Sequence, residues 1–199
     1  MLKIRLGNHE GAARDLEQAR KLAPESGAVE QFLGLLEGRR GQLAEAITHL
    51  RRAVELSPKD LKARFALAHE IERSGEPDSD AQSQRLMNEL VELQPGNLEV
   101  LRERARLAAK CDDAVALDDS VARLGQLAPY WPSKAQEIYR ELEKATKSNP
   151  RTAATRVLFQ RHLASLRNLL VQTPAFRQSL AAVQTPVGMV GEPVETFSG

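Results

Sequence analysis

The hydrophobic and small residues of this chain recur in a helical rhythm. In "GQLAEAITHLRRAVELSP", residues 41–58, Ala46, Leu50 and Ala53 lie three or four apart. That spacing sets side chains on one face of an α-helix, with polar residues on the other. A glycine opens the stretch and a proline closes it. "GNHEGAARDLEQARKLAP", residues 7–24, has the same layout in Ala12, Leu16, Ala19 and Pro24. Gly7, Gly41 and Gly75 are each 34 residues apart, as are the paired alanines, leucines and Pro24 and Pro58. Pro58 to Pro95 is 37 and Pro95 to Pro129 is again 34, so one unit carries three extra residues. The polar stretch "SGEPDSDAQ", 74–82, accommodates them.

The spacing predicts pairs of helices. Glycine at the turn tolerates backbone angles that other residues avoid. Proline after the second helix ends it, because it lacks an amide proton and clashes with the preceding turn. Gly34, Ala46 and Ala53 let paired helices approach, and Leu50 fills the space between them. One pair cannot bury its own apolar face, so neighbouring pairs stack.

The second unit shows Leu33-Gly34, Gly41, Ala46, Leu50, Ala53 and Pro58. The third shows Leu67-Ala68, Gly75, Met87, Leu90 and Pro95, and the fourth Arg104-Ala105, Asp112 at the turn, Val121, Leu124 and Pro129. This register resembles the tetratricopeptide repeat, a helix–turn–helix unit of this period. The large aromatics usual in its first helix are absent, and Glu30 and Glu37 stand there in the second unit. The resemblance implies an all-α fold: a right-handed α-solenoid of such repeats with a C-terminal helical cap. Residues 1–129 hold the repeats, as 1–26 (partial), 27–60, 61–97 with the insertion, and 98–131. The first unit lacks the start of its first helix, so the expectation is a fragment of a longer chain.

Beyond Pro129 the period stops. Ser133 and the apolar residues Ala135, Ile138, Tyr139, Leu142 and Ala145 predict a helix after Pro132. A second helix is expected over 151–170, with Val157, Leu158, Leu163, Leu166 and Leu169-Leu170 as its stripe. A short third one lies between Pro174 and Pro186. Together 132–183 form capping helices, and 184–199 an extended or mobile tail. "RNLLVQTPAFRQSLAAVQTPVGMVGEPVETF", 167–197, is similar to a connector in large bacterial proteins, where such repeats precede an integrin-like β-propeller and an ASPIC and UnbV domain. That likeness implies an exported, multi-domain parent; without it the compartment is unassigned, with cytoplasmic as the other option.

Composition narrows the chemistry. Net charge is +1, which gives no reason to expect nucleic acid as a partner, and no apolar stretch is long enough to insert in a membrane. Cys111 is the single cysteine, so an internal disulfide is excluded. His9, His49, His69 and His162 show no metal-ligand spacing, and Asp112, Asp113, Asp118 and Asp119 lack the alternation and glycine of a calcium loop. No catalytic constellation or cofactor motif is present, so no enzyme activity, metal or cofactor is expected.

What such an array offers is the face lined by its first helices. Register with the family places Gln31, Leu35 and Arg39 on that face in the second unit, Lys62, Phe65, His69 and Arg73 in the third, and Arg102, Arg106 and Lys110 in the fourth. Phe65 and Leu35 would supply burial. Arg102 and Arg106, four apart, would grip carboxylates of a partner or else pair with Glu99 and Glu103. Gln31, Leu35 and Ala66 do not reproduce the clamp of the chaperone-tail subfamily. The expected function is non-catalytic binding of an extended peptide, an acidic one among the options, or of a neighbouring domain. A structural spacer, or self-association through exposed solenoid ends, is the alternative.

Overall fold

The computed structural model describes residues 8–147 and 153–184, with side chains placed except at 153–155. The expectations about Gly7 and about most of the tail lie outside those residues. Among the described residues ten α-helices run in order: α1 His9–Leu22, α2 Gly27–Arg40, α3 Leu43–Leu56, α4 Leu61–Ser74, α5 Ser79–Leu93, α6 Leu98–Lys110, α7 Ala114–Leu127, α8 Ser133–Lys147, α9 Ala153–Leu170 and α10 Pro174–Val183. A short 3-10 turn, Ala128–Tyr130, precedes α8. There is no strand among the described residues, and the fold is an all-α helical solenoid type.

Local chemistry sets the helix ends. Two residues after Pro24, Pro58 and Pro95 stands a small polar residue that caps the next helix. Ser26 accepts from the Val29 amide, Asp60 Oδ1 from the Lys62 and Ala63 amides, and Asn97 Oδ1 from the Glu99 and Val100 amides. Each satisfies amides that the helix itself cannot. The turn between paired helices is left-handed. Gly41 has φ +80°, Gly75 +63° and Asp112 +56°, so Asp112 occupies the conformation that glycine holds in the units before it. In the insertion, Asp78 is left-handed as well, at φ +64°.

The chain divides into two compact units, whose boundary falls inside α4. In the first, within residues 8–70, α1 packs on α2 around Ala12 and Leu36, and α2 pairs with α3. Ala46, Leu50 and Ala53 are fully buried against α2, as expected. A Cβ on Gly34 would stand 2.6 Å from Leu50 Cγ, so a glycine is required for this approach. Glu30, at a position the family gives to an aromatic, is buried and holds His49 Nδ1 at 2.7 Å. A polar pair thus joins α2 to α3 where ring packing is usual.

In the second unit, within Ile71–Val183, α6 packs on α5 and α7, and α8 on α7 and α9. The stripe of α9 differs from expectation. Phe159, Leu163, Leu166 and Leu170 are buried, whereas Val157 and Leu158 are exposed. The spacing 159, 163, 166, 170 keeps to one helix face, and 157 falls on the opposite one. Phe176, Leu180 and Val183 of α10 complete this core.

Candidate functional site

Exposure along the first helices follows repeat position. Gln31, Phe65 and Arg102 occupy the same place in successive units, and all are buried, at 3%, 2% and 8% exposure. One turn on, Leu35, His69 and Arg106 are half-buried. A further turn on, Arg39 is half-buried while Arg73 and Lys110 are exposed. Lys62, near the start of α4, is half-buried. Gln31, Phe65 and Arg102 therefore offer a ligand almost no surface. Phe65 instead meets His69 edge-on, with ring centroids 4.6 Å apart.

On α6 the expected basic cluster is an internal ion network. Arg102 donates from Nε and Nη2 to the two carboxylate oxygens of Glu99, each at 3.0 Å, and also to Glu103. Arg106 Nε donates to Glu103 at 2.7 Å, and its two terminal nitrogens form a fork on Glu72. Lys110 Nζ reaches Glu72 at 3.2 Å and Asp80 at 2.7 Å. Arg167 of α9 stands 3.8 Å from Glu99. Cations and carboxylates alternate along these contacts.

Titration follows from this arrangement. Burial alone would raise the Glu72 carboxyl, but the bonds and charge of Arg106 and then Lys110 outweigh it and hold Glu72 below the ordinary carboxylate range. Burial works against the Arg106 cation too, and Glu72 and Glu103 overcome it, raising the guanidinium further.

The C-terminal helices cover this face. Arg156 contacts Asp112 at 3.4 Å, Gln160 Nε2 donates to the Arg106 carbonyl at 3.3 Å, and Arg167 approaches Glu99. As numbers rise along α9 they fall along α6, so the two run antiparallel. At the other end Asn97 Nδ2 donates to the Ser179 carbonyl at 2.9 Å, and Ser179 Oγ accepts from the Leu98 amide. Glu99 and Glu103 are the partners expected for the arginines; long-range folding brings Glu72 to Arg106, Asp80 to Lys110 and Arg167 near Glu99.

Burial and then the Asp80 charge push the half-buried Cys111 thiol up, the reverse of what an attacking thiolate requires. Among the described residues no three His, Cys, Asp or Glu side chains are grouped to hold a metal, and no helix is long and apolar enough to cross a membrane.

No curated protein matches the chain. A family model, described as tetratricopeptide repeat, matches residues 1–60 and 33–69. Repeats of that family generally mediate protein–protein interaction and are typically non-catalytic scaffolds. The matched stretch takes in the first compact unit, with its close Gly34–Leu50 pairing and its left-handed Gly41 turn. The match covers the N-terminal third of the chain, and over those residues the chain is similar to the tetratricopeptide repeat.

Proposed function

We propose that the chain is an interaction module that takes an extended peptide or a neighbouring domain on the first-helix face of its N-terminal repeats, at Leu35, Arg39, Lys62 and His69. The carrying observation is that these residues are only half-buried, whereas Gln31, Phe65 and Arg102 on the same face are buried. Arg39 and Lys62 favour a partner bearing carboxylates, with Leu35 as the apolar contact. The test is affinity capture with the full chain as bait, compared with Arg39→Glu/Lys62→Glu. Proteins retained by the parent and lost from the charge-reversed variant, at unchanged thermal stability, support the reading. The same proteins at the same yield on both baits would refute it.

A second reading, a structural spacer in a larger multi-domain protein, draws on the way α9 and α10 cover α6 and on the likeness of 167–197 to a connector. It predicts that no partner depends on Arg39 or Lys62.

A further inference from the structure

The first-helix face of the N-terminal repeats is basic where it is accessible. α2 and α4 lie side by side, close enough that a Cβ on Gly38 would stand 2.7 Å from Glu70 Oε1. Leu35 and Arg39 of α2, with Lys62 and His69 of α4, are half-buried and remain within reach of a ligand. The acids of α2, and of α4 up to residue 70, are turned to other uses. Glu30 holds His49 at 2.7 Å, Glu37 pairs with Arg40 at 3.1 Å, and Glu70 is buried against Gly38. Asp60 caps α4. Among the described residues no carboxylate pairs with the Lys62 ammonium. The face therefore presents cations beside one apolar side chain, and its complement is an acidic segment with apolar residues.

The chain carries such a segment itself. Residues 185–199, "TPVGMVGEPVETFSG", contain Glu192 and Glu195 and no lysine, arginine or histidine. Val187, Met189, Val190, Val194 and Phe197 supply apolar side chains. Pro186, Gly188, Gly191 and Pro193 oppose a helix, because proline lacks the amide proton and glycine adds an entropy cost, so the sequence predicts extended chain. Fifteen extended residues span up to about 50 Å, whereas neighbouring helices are only about 10 Å apart, so the segment can cross both α2 and α4 with a tether left over. The second unit ends at Val183, and the next residue, Gln184, groups with the first. A tethered segment also meets its site at an effective concentration of about a millimolar, which favours it over a free peptide of equal affinity.

We propose that residues 185–199 dock on the first-helix face of the N-terminal repeats, Glu192 and Glu195 meeting the Arg39 and Lys62 cations and Leu35 taking an apolar side chain. This rests on the reading of that face as a peptide site and adds its regulation: an outside partner binds only by displacing the chain's own segment.

The probe is a fluorescently labelled peptide of sequence 185–199, titrated by anisotropy against the full chain and against full-length Glu192→Lys/Glu195→Lys. Charge reversal in the segment empties the face without altering a helix that forms it. The peptide is expected to bind this variant at least about tenfold more tightly than the parent, where the tethered copy competes at about millimolar concentration. Adding Arg39→Glu/Lys62→Glu to the variant is expected to abolish binding. A second measurement needs no substitution. Carbodiimide coupling, which joins a carboxylate to an amine in direct contact, is expected to link Lys62 to Glu192 or Glu195 within one chain, as read by peptide mass spectrometry. Equal binding to parent and variant, binding to neither, or no Lys62 link overturns the proposal. Links formed only between isotope-labelled and unlabelled copies assign the segment to a second chain, with the same consequence. Those failures, with capture of an outside partner still dependent on Arg39 and Lys62, leave the peptide-site reading standing. Docking of the segment with no outside partner captured removes that reading and leaves the face this one occupant.

Discussion

Replacing Arg102 with methionine tests whether the α6 network is structural. Methionine keeps much of the volume and the flexible stem but removes the guanidinium. Glu99 and Glu103, whose side chains are only 2% and 4% exposed, lose their shared partner. Removing one member of a buried ion pair costs about 3–5 kcal/mol, mostly from stranding the other charge. Here Glu103 keeps Arg106 at 2.7 Å, whereas Glu99 keeps only Arg167 at 3.8 Å. One carboxylate is stranded rather than two, which places the expected loss at the low end, about 3 kcal/mol. Urea denaturation, comparing midpoints at constant slope, measures it. Glu99→Met/Arg102→Met removes the stranded carboxylate as well and is expected to recover most of the loss. A loss below about 1 kcal/mol in the single variant is what a solvent-exposed pair gives, and would refute the reasoning. For the same reason, Arg102→Glu/Arg106→Glu cannot probe ligand binding: it sets new carboxylates against Glu99, Glu103 and Glu72 and disrupts the unit itself.

Three further substitutions follow from the geometry. Asp112→Gly relieves a left-handed aspartate and is expected to stabilise by about 0.5–1 kcal/mol after the entropy cost of glycine; a lowered melting temperature would contradict this. Gly34→Ala sets a methyl 2.6 Å from Leu50 Cγ and 3.0 Å from the Ala46 carbonyl. Overpacking there outweighs the gain in helix propensity, with an expected net loss of about 1 kcal/mol, and equal or higher stability by denaturation would sink the close-approach argument. Glu72→Gln bears on pH. A carboxyl held below its ordinary value of 4.5 contributes stability that is present above that pH and is lost as pH falls through the lower folded value. The parent is therefore expected to lose stability below about pH 4.5 more steeply than Glu72→Gln. Parallel acid melting curves would argue that the Arg106 fork carries no such linkage.

The helix pairs were legible because small residues, turn glycines and closing prolines each impose a local requirement. Ala46, Leu50 and Ala53 are buried where the period puts them. The caps at Ser26, Asp60 and Asn97 were also written in the sequence, two residues after Pro24, Pro58 and Pro95, and only a scan for paired signals reveals them. The reading of α9 strayed because Val157 and Leu158 are as apolar as Phe159, and hydrophobicity without phase does not say which face meets α6. The face-lining residues were read from register alone. Register states which side of a helix a residue occupies but not what covers it. Gln31, Phe65 and Arg102 share one repeat position, and packing rather than composition decides their burial. The fate of Arg106 depended on Glu72, and the cover over α6 on helices more than 40 residues away. Neither leaves a trace in local periodicity.

The contact between Asn97 and Ser179 joins residues 82 apart in a chain whose helix pairs otherwise close over short distances. Hairpins such as α2–α3 need only a brief loop and form early, whereas closing the long one must wait for its distant half and carries a larger entropy cost. On a ribosome, α6 emerges with its alternating charges still wet. Their burial needs α9 and α10, which contact α6 from more than 40 residues further along the chain. α9 and α10 thus decide when the second unit becomes dry inside.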